Sequence, residues 1–201
     1  MSAAKIGSSS ADGQYGSQFS KLNDYYVACQ NGNITEIKRM LYRKQVDPLN
    51  DVCTRTGMTG LHWAAMNNKL ETCGYLLLQG VDINAKTLST YKLPEMTAIQ
   101  IAARYGYVYT VHYLMEHGAD PLALTTTGEN LLHLAVRSSN PMNLIYILFW
   151  MNEPCDVSVD AADNYGRSAL HWAILQEDIT SVKVLLNYGA DITLEDNEGN
   201  S

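Results

Sequence analysis

The residues of this chain that could do chemistry are its histidines, its cysteines and a recurring aspartate. His62, His133 and His171 could ligate a metal. Cys29, Cys53, Cys73 and Cys155 could act as nucleophiles, and Asp82, Asp120, Asp163 and Asp191 could form a carboxylate set. Spacing argues against each reading. Metal ligands must converge to about 2 Å from one ion, whereas the three histidines fall at the same place in three similar fragments and are spread along the chain. His112 and His117 lie five apart, off the i, i+4 face of a helix, and read as surface residues. No two cysteines form a C-x-x-C pair. Cys29 and Cys73 fall on helical positions that suit small buried hydrophobes. Cys53 and Cys155 fall in loops, with no base or cation read beside them to lower a thiol pKa. The aspartates recur at turn positions, where an Asx side chain bonds its own backbone. Phosphate-binding glycine loops are missing. The sequence therefore assigns no catalytic residue, no metal ligand and no cofactor to this chain.

The elements that position these residues are repeats. Thr59-Gly60-Leu61-His62-Trp63-Ala64-Ala65 is echoed by Leu131-Leu132-His133-Leu134-Ala135-Val136 and by Ser168-Ala169-Leu170-His171-Trp172-Ala173-Ile174, with a weaker copy at Thr97-Ala98-Ile99-Gln100-Ile101-Ala102-Ala103. An apolar helical stretch follows each. Gly80-Val81-Asp82, Gly118-Ala119-Asp120 and Gly189-Ala190-Asp191 close three of them, and no such ending follows Trp150. This pattern resembles the ankyrin repeat, whose signature holds T-P-L-H-x-A at a period of about 33. It predicts an all-α ankyrin-repeat solenoid of helix–turn–helix units with β-turn tips. The array of about five units spans 21–195, its first unit (Lys21–Cys53) degenerate. The anchors at 59, 97, 130 and 168 are spaced 38, 33 and 38 apart. The two long intervals place about five extra residues each in loops at Thr87–Tyr91 and Met151–Ala162. Residues 1–20, rich in Ser, Gly and Ala, read as a flexible tail. Residues 196–201 match the opening of the fifth unit and read as the start of a truncated sixth repeat. The fifth unit then keeps an uncovered apolar face, which suggests a piece of a longer chain.

Composition narrows the function classes. Fourteen basic against twenty-one acidic residues give a net charge of −7, a poor basis for gripping a phosphate backbone, so no nucleic-acid partner is expected. With 46% hydrophobic residues the chain can build a core. Four scattered cysteines suit reduced, intracellular thiols. The longest uncharged run in the later chain, Ser138–Asn152, has 15 residues, short of the roughly 20 that span a bilayer. Its apolar stretch Asn143–Met151 reads as the buried second helix of the fourth unit, with Phe149 and Trp150 as candidate docking residues.

Some stretches are more specific than the generic repeat. Gly60–Leu70, Ala103-Arg104-Tyr105-Gly106-Tyr107-Val108-Tyr109-Thr110-Val111 and Asn130–Asn140 followed by Leu144–Phe149 resemble, in this order, the N-terminal ankyrin region of the fungal ankyrin-repeat DHHC-type palmitoyltransferases. The resemblance implies a membrane-attached enzyme of the Golgi or endosomes that transfers palmitate from palmitoyl-CoA to protein cysteines, with the ankyrin region recruiting protein substrates or regulators. The Asp-His-His-Cys motif of that family does not occur in this chain, so no catalytic residue carries over. The alternative is a free-standing soluble ankyrin adaptor with no enzymatic role.

Ankyrin arrays bind partners through turn tips and inner helix faces. Those positions hold Arg55, Thr56, Met58, Met66, Asn67, Met96, Glu129, Ser138 and Asn164, and above all Arg104, Tyr105, Arg137, Tyr165, Arg167 and Gln176. Tyr and Arg are types enriched in binding hot spots. Arg104, Arg137 and Arg167 suggest a basic stripe and hence an acidic or phosphorylated peptide or protein partner.

Overall fold

A computed structural model of the chain describes residues 11–89, 94–152 and 157–201, with side chains for all of these except 11–20 and 152. Ten helices, and no strands, occur among the described residues, arranged in pairs. The inner members are α1 (Ala11–Asn31), α3 (Gly60–Met66), α5 (Ala98–Arg104), α7 (Leu131–Arg137) and α9 (Ala169–Leu175). The outer members are α2 (Ile34–Tyr42), α4 (Leu70–Leu78), α6 (Val108–Glu116), α8 (Pro141–Asn152) and α10 (Ile179–Asn187). Helices of seven or nine residues are too short to stand alone in water, so each depends on its caps and its neighbours.

The start signal is a capping box. At Thr59, Thr97, Asn130 and Ser168 the third helical residue reaches back to the N-cap backbone N–H: His62, Gln100, His133 and His171 respectively. The stop signal is a left-handed residue. It follows the inner helices at Gly32, Asn68, Gly106, Ser139 and Glu177, and the outer helices at Lys44, Gly80, Gly118 and Gly189. The fourth unit has Met151 where the others turn, so α8 runs on to Asn152 and is twelve residues long rather than nine. Part of the extra length expected in the Met151–Ala162 loop is therefore helix. The rest of that insertion and of the one at Thr87–Tyr91 falls partly outside the described residues.

Each inner helix packs on the next, and each outer helix lies behind its own inner one. Ala64, Ala65, Ala102, Ala103, Ala135 and Ala173 are fully buried, as their small size predicts for close helix approach. Leu61, Ile99, Leu132 and Leu170 form a spine at one repeat position, and Cys73, Val111 and Leu144 fill the layer behind it. The N-terminal boundary differs from the sequence expectation. Residues 11–20 belong to α1 rather than to a tail, while 1–10 lie outside the described residues. Tyr25, Tyr26, Ala28 and Cys29, all buried against the second unit, fix the C-terminal half of α1. Once a turn is nucleated, each further residue adds a hydrogen bond at little cost.

Candidate interaction surface

The turn tips are joined edge to edge. Leu88 N–H donates to the Thr56 carbonyl (2.8 Å), Asn164 to Thr127 (3.0 Å) and Asn197 to Tyr165 (3.0 Å). At Gly166 (φ 75°) a Cβ would sit 2.8 Å from the Asn197 nitrogen, so the next tip can approach only a glycine. Residues 196–200 repeat the fold of the fifth tip, closed by Asp196 N–H on the Asn200 carbonyl (2.8 Å).

Beneath the tips runs a second set of ties. His62 Nδ1 accepts the Thr59 N–H (3.0 Å), which puts the proton on Nε2, and Nε2–H donates to the Ala85 carbonyl (3.0 Å). His133 likewise accepts from Asn130 (3.2 Å) and donates to Arg167 (2.9 Å). His171 accepts from Ser168 (3.1 Å) and donates to Asn200 (3.2 Å). Gln100 does the same with an amide, its Oε1 accepting from Thr97 (2.9 Å) and its Nε2 donating to Ala123 (2.7 Å). Burial pushes His62 down to about 4 and lowers His133 as well. These histidines are neutral rivets between units. Among the described residues no group of three His, Cys, Asp or Glu side chains is placed to hold a metal.

The arginines do not form the open basic stripe expected from their spacing. Arg137 Nη1 lies 2.8 Å from Glu129 Oε1, and Glu129 is only 3% exposed. Arg167 Nε lies 3.4 Å from Asp196 Oδ2, and its Nη2 3.9 Å from Glu198 Oε1. Both guanidiniums also sit on the Trp172 ring, at 4.8 and 5.7 Å from its centroid. Two of the three charges are thus already met by carboxylates of the array itself. The repeat period places the arginines but does not show which acids the neighbouring unit brings to them. Arg104 has no ion pair among the described residues. Burial, and then the nearby Arg137 guanidinium, pull its pKa below the usual arginine value. With Tyr105, which is half exposed and stacked on Tyr107, it borders an apolar groove between the second and third units, lined also by Met58, Met66, Leu88 and Met96. Tyr165 is exposed beneath Arg167, and Gln176 is exposed with its amide on the Trp172 carbonyl (3.2 Å). The six candidate residues therefore divide. Arg104 and Tyr105 border the groove, and Arg137, Tyr165, Arg167 and Gln176 gather around Trp172.

Other sequence readings fare unevenly. Cys29 and Cys73 are buried and their thiols are pushed up to about 12, as inert core residues should be. His112 is half exposed but engaged, with Nδ1 at 2.8 Å from the Tyr146 hydroxyl and Nε2 at 3.5 Å from Glu116. In α8, Leu144, Ile147, Leu148 and Met151 are buried, while Phe149 is 55% exposed. The reading of Cys53 needs correction. It is half-buried, and although burial raises its pKa, hydrogen bonds from the Thr56 side chain and from the Arg55 and Thr56 N–H groups, together with the Arg55 cation, bring the net shift below the usual thiol value. A cation two residues away is the signal that was available in the sequence.

A line of helix pairs riveted turn to turn, with its uncommitted side chains on tips and inner helices, defines a repeat-built binding scaffold. The chain belongs to the ankyrin-repeat family, whose description (Ankyrin repeats, 3 copies) fits residues 22–87 and 99–196. Its relatives include proteins named palmitoyltransferase AKR1. That of Lachancea kluyveri is 40% identical over 180 residues, covering 89% of this chain and 24% of that protein. That of Saccharomyces cerevisiae is 42% identical over 178 residues (89% and 23%), and that of Kluyveromyces lactis 36% over 178 residues (89% and 23%). The chain spans about a quarter of the length of these curated relatives. The likeness bears out the resemblance drawn from the Ala103–Val111 and Asn130–Phe149 stretches. Among the described residues, no helix is long and apolar enough to cross a membrane.

Proposed function

We propose that this chain is the ankyrin region of a protein S-palmitoyltransferase, and that it recruits protein substrates or regulators to an acyl-transfer centre elsewhere in that enzyme. In this reading it works on the cytoplasmic face of a Golgi or endosomal membrane, attached through other parts of the same protein. The observation that carries the reading is 36–42% identity along nearly the whole array to enzymes named palmitoyltransferase. The last unit supports it. Ile174 is 44% exposed, whereas at the same position Ala65, Ala103 and Val136 are buried. An apolar face that three units use for stacking suits a further repeat better than it suits water. The groove beside Arg104 and Tyr105 supports a protein partner that brings an apolar side chain and an acidic group, since Arg104 has no carboxylate of its own among the described residues.

The test is to read the transcript past the codon for Ser201. A frame that continues through a further repeat, apolar spans and an Asp-His-His-Cys motif upholds the proposal. A frame without them leaves a free-standing adaptor and removes acylation by this protein.

A further inference from the structure

Five turn tips are closed by one backbone pair, the N–H of Cys53, Thr87, Thr125, Asp163 or Asp196 donating to the carbonyl of Met58, Met96, Glu129, Arg167 or Asn200. In the fifth tip the first residue is an aspartate, whose Oδ1 accepts the N–H groups of Tyr165 (2.8 Å) and Arg167 (3.0 Å). Its Oδ2 takes the indole N–H of Trp172 (3.0 Å). The second unit has the same His-Trp pair, His62-Trp63, but its tip is one residue longer and begins with Cys53. The Cys53 side chain thus stands at the tip position that the Asp163 carboxylate holds in the fifth unit. It has no second acceptor atom to offer, and the indole nitrogen of Trp63 is buried with no partner. So is the hydroxyl of Tyr26, a residue only 6% exposed whose ring lies 6.3 Å from that of Trp63. Among ionisable groups Cys53 acts most strongly on that hydroxyl. Two orphaned donors in the unit whose tip begins with Cys53, where the fifth unit has a carboxylate, mark a place where an oxygen acceptor is missing.

We propose that Cys53 is an oxidation site, and that its sulfinate occupies in the second unit the place the Asp163 carboxylate occupies in the fifth, accepting the Trp63 indole N–H. The oxidant is hydrogen peroxide. The Cys53 thiolate attacks one peroxide oxygen, the O–O bond breaks, and the departing hydroxide takes a proton to become water, leaving a sulfenic acid. A second hydrogen peroxide oxidises that sulfur again, releasing another water and a proton and leaving the anionic sulfinate. The product carries the charge and the two oxygens of an aspartate. It takes the tip position of the Asp163 carboxylate, and the indole gains its acceptor.

The test treats the folded 201-residue chain with hydrogen peroxide and maps cysteine oxidation by peptide mass spectrometry, alongside thermal unfolding and exchange of the Trp63 indole proton by NMR. Cys53 is expected to reach sulfinate at least about tenfold faster than Cys29 and Cys73, whose thiols are buried and protonated. The melting temperature should then rise by about 2–4 °C and the indole proton should exchange more slowly. Cys53→Asp should show the same rise and slowing without peroxide, and Cys53→Ser should show no peroxide-dependent rise. Oxidation of Cys53 no faster than that of Cys29 and Cys73 would overturn the proposal. So would a melting temperature that stays level or falls in the sulfinate form or in Cys53→Asp.

Discussion

The imidazole of His62 spans two repeats, with Nε2–H on the Ala85 carbonyl at 3.0 Å and Nδ1 on the Thr59 N–H in its own unit. Because both ring nitrogens are committed to the neutral tautomer, a proton on Nδ1 would break the cap. The array should therefore be acid-sensitive. His62 (about 4) and His133 both have pKa values lowered in the fold relative to the unfolded chain. Their contribution is complete above about pH 6.5, and it is lost as pH falls below that value and the unfolded chain takes up protons. The loss approaches 1.4 kcal/mol per pH unit for each imidazole within its window. Urea unfolding between pH 7.5 and 4.5 measures the slope. His62→Gln, which copies the geometry of Gln100, should hold stability at pH 7.5 within about 1 kcal/mol and reduce that slope. Asp196, held down to about 2 by the Asn200 N–H, acts only at lower pH and does not confuse the window.

Glu177 ends α9 in the left-handed region (φ 55°), where the equivalent residues of the first and third units are Gly32 and Gly106. A side chain there costs about 1 kcal/mol over glycine. Glu177→Gly should raise the unfolding free energy by about that amount in urea titration. Gly166→Ala should lower it by more, because its Cβ would collide with the Asn197 backbone.

Glu129 is buried and its charge is met by Arg137, with the Thr127 hydroxyl on its other oxygen at 2.8 Å. Removing one partner strands the other. Arg137→Ala should destabilise by about 3 kcal/mol, and adding Glu129→Gln should recover part of that loss. A double-mutant cycle by chemical denaturation measures the coupling. The same cycle at Arg167 and Glu198, a wider pair with an exposed carboxylate, should give under about 1 kcal/mol.

Position for position, Val136 and Ile174 are equivalents, yet Val136 is fully buried and Ile174 is 44% exposed. Val136→Glu should cost about 4 kcal/mol or more and unfold the array, since it buries a carboxylate without a partner. Ile174→Glu in the same chain should cost less than about 1 kcal/mol. Circular dichroism with urea titration separates the two outcomes.

The sequence by itself determined the repeat, the inner and outer helices and the buried alanines. Those features arise within one unit, from residues three or four apart that share a helix face or a cap, and a single copy of the motif carries them. It also placed the six candidate surface residues at tips and inner faces. It did not reveal that Arg137 and Arg167 are taken up by Glu129 and Asp196, that Gln100 stands in for a histidine rivet, or that α1 extends back to Ala11. Nor did it expose the orphaned indole of Trp63 in the second unit. The tertiary structure decided these, because each depends on what the adjoining unit or tip presents across a stacked interface. The repeat fixes where a side chain stands, but its hydrogen bonds and its charge partner are set by the residue that substitution has left opposite it. A period of 33 to 38 residues fixes that position and leaves the identity of the neighbour open.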